Sequence, residues 1–207
     1  MTADKNVWSD LVALAAMDDR EIDLSDASET IDFTLPKRGI YDPLQRKEFD
    51  VRAIANWFVD RAKTKKREIS KVWINKLVFL AYEKGIQDFG IVLTPARAEA
   101  WNYGPVFREV YFQYDDLKDI GYFQRFNVVG RKKIKVEAEF GPSDLSILEF
   151  VWDHFADFGA KRLTEITHAE GTPWQTVWDI GGEANPGMAI TPAIIMGRKG
   201  GYLNGNR

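Results

Sequence analysis

Cysteine is absent from the chain, which removes disulfides, thiolate metal ligands and cysteine nucleophiles together. Histidine is nearly absent. Only His154 and His168 occur, in no His-x-x-x-His or His-Glu-x-x-His pattern, so a zinc site would need distant carboxylates. Neither a Gly-x-Ser-x-Gly elbow nor a Gly-x-x-x-x-Gly-Lys-Ser/Thr loop is present. The glycine-rich "GRKGG" near the C-terminus follows no strand and opens no helix. No apolar run is long enough to cross a bilayer, and "MTADKNVWSDL" lacks a signal-peptide profile. No charge of one sign dominates either. The net charge of -3 offers no broad attraction to nucleic acid or anionic lipid. The expectation is a cytoplasmic protein with no membrane partner.

Apolar and aromatic side chains are plentiful. Hydrophobic residues make up 45% and seven tryptophans are spread along 207 residues, enough to bury one medium domain with an extension. Residues 1–48 differ from the rest. Val7 to Ala16 reads as a short helix, and "MDDREIDLSDASETIDF" then sets seven acidic residues against Arg20 alone. "LPKRGIYDPLQRKEF", punctuated by Pro36, Gly39 and Pro43, reads as an extended linker. Such a segment lacks the apolar surface for a core of its own.

Helical periodicity begins near Phe49. Ile54, Trp57, Phe58 and Ala62 mark a first helix closed by "KTKKRE". Ser70 caps a second, "KVWINKLVFLAYEKG", apolar almost all round and expected to end at Gly85. Such a helix belongs in the middle of a domain, where Asn75 must find hydrogen-bond partners. Pro105 is expected in the first turn of a third helix, with Trp101 in the core. "FNVVGRKKIKVEAEF" alternates as a small hairpin. A long helix follows Pro142, a shorter one ends at Gly171, Thr172-Pro173 starts another, and "TPAIIMG" adds a last turn. The fold class is mainly α: a single helical globular domain with a small β-hairpin, preceded by an acidic extension.

Little of this points to catalysis. His168 beside Glu165 and Thr164 could be an acid–base group, but a half-buried histidine bonded to a neighbour explains it more simply. The acidic run at 18–32 lacks EF-hand spacing. "KTKKR" and "RKKIK" belong to no helix-turn-helix or zinc-finger pattern and read as solvated turns. The reading is a non-enzyme with no cofactor and no metal.

Three segments in order carry a resemblance: "ISKVWINKLVFLAYEKG", "EAWNYGPVFREVYFQY" and "LTEITHAEGTPW". Over about residues 50 to 180 the chain resembles the Panacea domain of bacterial and phage antitoxins. The matching residues are Asn75, Lys76 and Leu77; then Trp101, Tyr103, Gly104, Pro105 and Val106; then Leu163, Thr164, Thr167, His168, Pro173 and Trp174. Asn75 stands where the family often has glutamine. The resemblance implies a Panacea domain, taken as 49–197, and the polar, glycine-rich composition of 198–207 reads as a flexible tail. The resemblance also implies an antitoxin in a type II-like, prophage- or defence-associated module. Toxins paired with the domain include alarmone-synthetase-like enzymes that block translation and small membrane-active proteins. Some relatives act instead as proteolytic adaptors, so a protease, operator DNA and a homo-oligomer stand as secondary partners.

The extension resembles the short acidic arms with which small antitoxins wrap their toxins. Carboxylates at Asp18, Asp19, Glu21, Asp23 and Asp26 could cover a basic toxin site, with Ile22, Leu24, Ile31, Phe33 and Tyr41 as apolar anchors. Residues 18–44 are expected to be a toxin-neutralising arm. In the domain, Tyr103 with His168 and Trp174 is expected to line a toxin-contacting groove. The other motif residues are expected to be structural. Exposure at Tyr103 decides between those roles.

Overall fold

Asp50 starts the regular part of the chain. In this computed structural model, which describes residues 44–113, 121–127 and 132–197, its carboxylate accepts from the Arg52 amide at 2.9 Å and caps helix α1 (Val51–Thr64). The described residues belong to one compact unit, Asp42–Arg207. The proposed arm, including Asp18 to Phe33 and Tyr41, lies outside them, as does the 198–207 tail.

Helix α2 (Lys71–Lys84) is capped by Ser70, whose hydroxyl accepts from Trp73 N at 3.2 Å. Every residue from Trp73 to Lys84 is buried, as an all-round apolar pattern requires. Its Leu, Ile and Phe side chains each contribute about 1.5–3 kcal/mol by leaving water. Helix α2 does not stop at Gly85. It runs on as a π-helical turn, Gly85–Phe89, and Gly90 (φ 64) ends it. Gly85 serves a close approach instead, since a Cβ there would lie 2.7 Å from the Ile91 carbonyl oxygen.

Strand β1 (Gln45–Arg46) pairs in parallel with β2 (Ile91–Val92). Strands β3 (Ala98–Trp101) and β4 (Gly104–Phe107) form a hairpin around Asn102 and Tyr103, and β7 (Met188–Ala189) pairs on the far side of β3. Pro105 therefore lies in an edge strand, not in a helix. An edge strand tolerates proline's missing N–H, and helix α3 starts only at Arg108 (Arg108–Gln113). Trp101 is half-buried at the strand end instead of filling the core.

The hairpin β5 (Gln124–Asn127) and β6 (Lys132–Lys135) forms where alternation places it. Buried Asn56 of α1 holds its base, donating to the Phe123 and Val136 carbonyls at 2.8 and 2.7 Å and accepting from Phe123 N at 2.7 Å. Helices α4 (Pro142–Phe155), α5 (Ala160–His168), α6 (Pro173–Gly181) and α7 (Pro192–Met196) complete the described fold. Thr172 and Thr191 cap the last two from just before their prolines. Helix α2 touches α1, α3, α4, α5 and β4, so it is the central post. Among the described residues no helix is long and apolar enough to cross a membrane.

Candidate functional site

The three motif segments, far apart in sequence, meet at the turn between β3 and β4. Lys76, one turn inside α2, is 1% exposed. Its ammonium donates to the Tyr103 carbonyl at 2.5 Å and reaches the Pro105 carbonyl at 3.5 Å. No carboxylate pairs with it among the described residues. Burial alone pushes its pKa down to about 7, because the charged form is the one that low dielectric penalises. Next to it Asn75 accepts from Phe107 N at 3.1 Å, so α2 grips β4 at two successive residues.

Gly104 closes the turn with φ +99. A methyl group on it would lie 2.0 Å from Lys76 Nζ and 2.8 Å from His168 Nε2. Only glycine satisfies both the dihedral and the space. His168, at the end of α5, lies on the other side, its Nε2 buried with no partner in hydrogen-bonding geometry. Burial, with the Lys76 charge beside it, lowers its pKa to about 4 against a smaller opposing pull from the Tyr103 backbone, so the ring is neutral at pH 7.

Trp174 stacks on His168 with centroids 3.7 Å apart and planes 10° from parallel, and Trp178 continues the stack at 5.3 Å. The Trp174 indole N–H donates to the Trp101 carbonyl at 2.8 Å. The turn is thus held from beneath by a lysine of α2, a histidine of α5 and a tryptophan of α6. Leu77, Val106 and Leu163 fill the core around it, and Pro173 is buried in the first turn of α6. Thr164 and Thr167 return their hydroxyls to the Ala160 and Leu163 carbonyls.

Tyr103 itself points outward, 75% exposed. Trp174 is only 7% exposed, so the two do not present equal faces to solvent. Beside the turn, Trp101 packs against Tyr111 and half-exposed Phe112 with centroids 5.1 and 6.0 Å away. An adjoining cleft of about 340 Å³ is lined by Arg97, Glu99, Trp101, Arg108, Pro186 and Gly187.

The acid–base pairing of His168 with Glu165 does not form. Glu165 binds Arg162 at 3.0 Å, whereas His168 faces Lys76 and Trp174. His154 stacks on Phe150 and bonds its carbonyl at 2.8 Å. Among the described residues no group of three or more His, Asp or Glu could hold a metal. The burial of Lys76 against carbonyls alone, with no carboxylate beside it among the described residues, was hidden in the sequence. Its one signal was a lysine in the middle of an all-round apolar helix.

These features define a mainly helical domain whose distinctive part is a clamped, tyrosine-tipped hairpin. Residues 74–175 match the family described as antitoxin SocA-like, Panacea domain. The match starts one residue before Asn75 and ends one after Trp174, enclosing the whole clamp. Over this span the chain is similar to the SocA-like Panacea family. The chain is also similar to Antitoxin SocA of Caulobacter vibrioides (strain NA1000 / CB15N), 29% identical over 158 residues that cover 72% of this chain and 81% of the relative. No solved structure matches it.

Proposed function

We propose that this chain is the antitoxin of a type II-like module, acting in the cytoplasm by binding a cognate protein toxin directly. The Panacea match and the similarity to a protein named as an antitoxin support that role. The observation that carries the binding reading is the exposed Tyr103 ring on a turn fixed from three sides. A rigid, exposed aromatic loses little entropy when a partner covers it, which is the profile of an interface hot spot. In this reading Tyr103 touches the toxin, while His168 and Trp174 set its position from below. Residues 18–44 add an acidic arm that covers a basic toxin site, and a translation-blocking, alarmone-synthetase-like enzyme is a toxin of the kind the family resemblance implies.

The test is growth of cells expressing the neighbouring small open reading frame, with and without this chain, followed by co-purification. Growth arrest rescued by the chain, with a stable complex, is the expected result. Absence of both toxicity and a complex would contradict the antitoxin role. Full rescue by a chain lacking residues 1–45 would remove the arm while leaving the domain's role intact.

A further inference from the structure

A second cleft lies where α1 faces the chain that leaves β6, with Ala53 and Asn56 at its buried floor and Trp57 and Asp60 nearer solvent. Ala53, Asn56, Trp57 and Asp60 fall at i, i+3, i+4 and i+7 and form one wall of an open cleft of about 520 Å³. The other wall is the chain that leaves β6, from Lys135 to Phe140.

That second wall has no strand paired beside it among the described residues. The ladder with β5 ends at Lys135, and one further bond, Val136 N to the Phe123 carbonyl, closes it. From Glu137 to Phe140, no amide donates to and no carbonyl accepts from another main-chain group among the described residues. Glu137 and Glu139 are exposed, and Ala138 is half-buried. Unpaired main-chain groups that continue a strand are what a strand-adding partner needs.

The charge of the cleft selects the partner. Asp60, Glu137 and Glu139 line it against a single cation, Lys135. Lys135 is shared between Asp60 at 2.9 Å and Glu137 at 3.2 Å, on carboxylates that are 47% and 71% exposed. Glu139 has no cation at all among the described residues. Ion pairs this exposed are readily exchanged for others. Trp57 and Phe140, both half-buried, supply the apolar surface between the charges.

We infer that the cleft between α1 and residues 135–140 is a second protein-binding surface, which takes an extended basic segment of a partner protein. The segment pairs its main chain with Glu137 to Phe140. Because side chains alternate along a strand, its Lys or Arg residues recur every second position to meet Glu137 and Glu139. No residue of this cleft belongs to the Tyr103 turn, so the inference holds whether or not that turn binds a toxin.

The probe is a fluorescein-labelled peptide of alternating lysine and valine, about seven residues long, titrated by anisotropy against the full chain at low and physiological salt. A peptide of alternating glutamate and valine is the control. The lysine peptide binds the native chain, and Glu137→Lys/Glu139→Lys weakens it by at least about tenfold while gaining the glutamate peptide. Glu170→Lys/Asp179→Lys alters net charge equally and leaves binding unchanged. Ala138→Pro removes one free amide and weakens binding several-fold at unchanged melting temperature. Equal weakening by both charge swaps would reduce the attraction to net charge and overturn the site, as would undiminished binding to Glu137→Lys/Glu139→Lys. A chain that is dimeric alone, and monomeric as Glu137→Lys/Glu139→Lys, would assign the cleft to a second copy and overturn the partner assignment.

Discussion

Lys76 and His168 face each other across Gly104, and both prefer to be neutral there. The unfolded chain holds the Lys76 proton up to its ordinary 10.5, whereas the native state releases it near 7. Between those values the unfolded state binds more protons, so this group makes stability rise with pH from about 7 to about 10.5. For His168 the corresponding window runs from 6.5 down to about 4, and its contribution is lost as pH falls through it. Urea denaturation across pH measures both. Lys76→Met flattens the rise above neutrality, and His168→Gln flattens the decline on the acid side. Unchanged slopes in both variants would contradict the burial described. Gly104→Ala meets a positive φ and two close side-chain atoms at once. It lowers stability by on the order of 2–3 kcal/mol, read as a shift of the denaturation midpoint.

At the scale of elements, the β5–β6 hairpin depends on one side chain. Asn56→Ala leaves Phe123 N and the Val136 carbonyl without partners in a buried position, while the Phe123 carbonyl keeps Val136 N, and costs about 2–4 kcal/mol. Loss of under about 0.5 kcal/mol would show that the hairpin holds itself. Helices α1, α2, α4, α5, α6 and α7 were legible from apolar spacing and from caps at Ser70 and Thr172, because those signals act within a few residues of chain, although α5 ends at His168 and not at Gly171. The β3–β4–β7 sheet was not. Its strands are short, and β7 lies some ninety residues from its partner, so no local pattern announces the pairing. Pro105 misled for the same reason: a proline after glycine suits a helix start locally, and only the neighbouring strand reveals an edge position. The motif residues of the site were legible one by one through the family resemblance, but their convergence on Lys76 was not. Nothing in a sequence states that a lysine in an apolar helix has no carboxylate to meet.

For the whole molecule, the clamp and the exposed ring have separate duties. Lys76, Gly104, His168 and Trp174 fix where the hairpin tip stands, and Tyr103 is the part left in solvent. A side chain that is 75% exposed contributes little to folding, so its removal separates binding from stability. The decisive measurement is the affinity of Tyr103→Ala for the co-purified toxin by titration calorimetry, with thermal unfolding of the free chain alongside. The account predicts affinity weakened by at least about tenfold with a melting temperature within about 2 °C of the native chain. Undiminished affinity, or weakening only in step with unfolding, would contradict it.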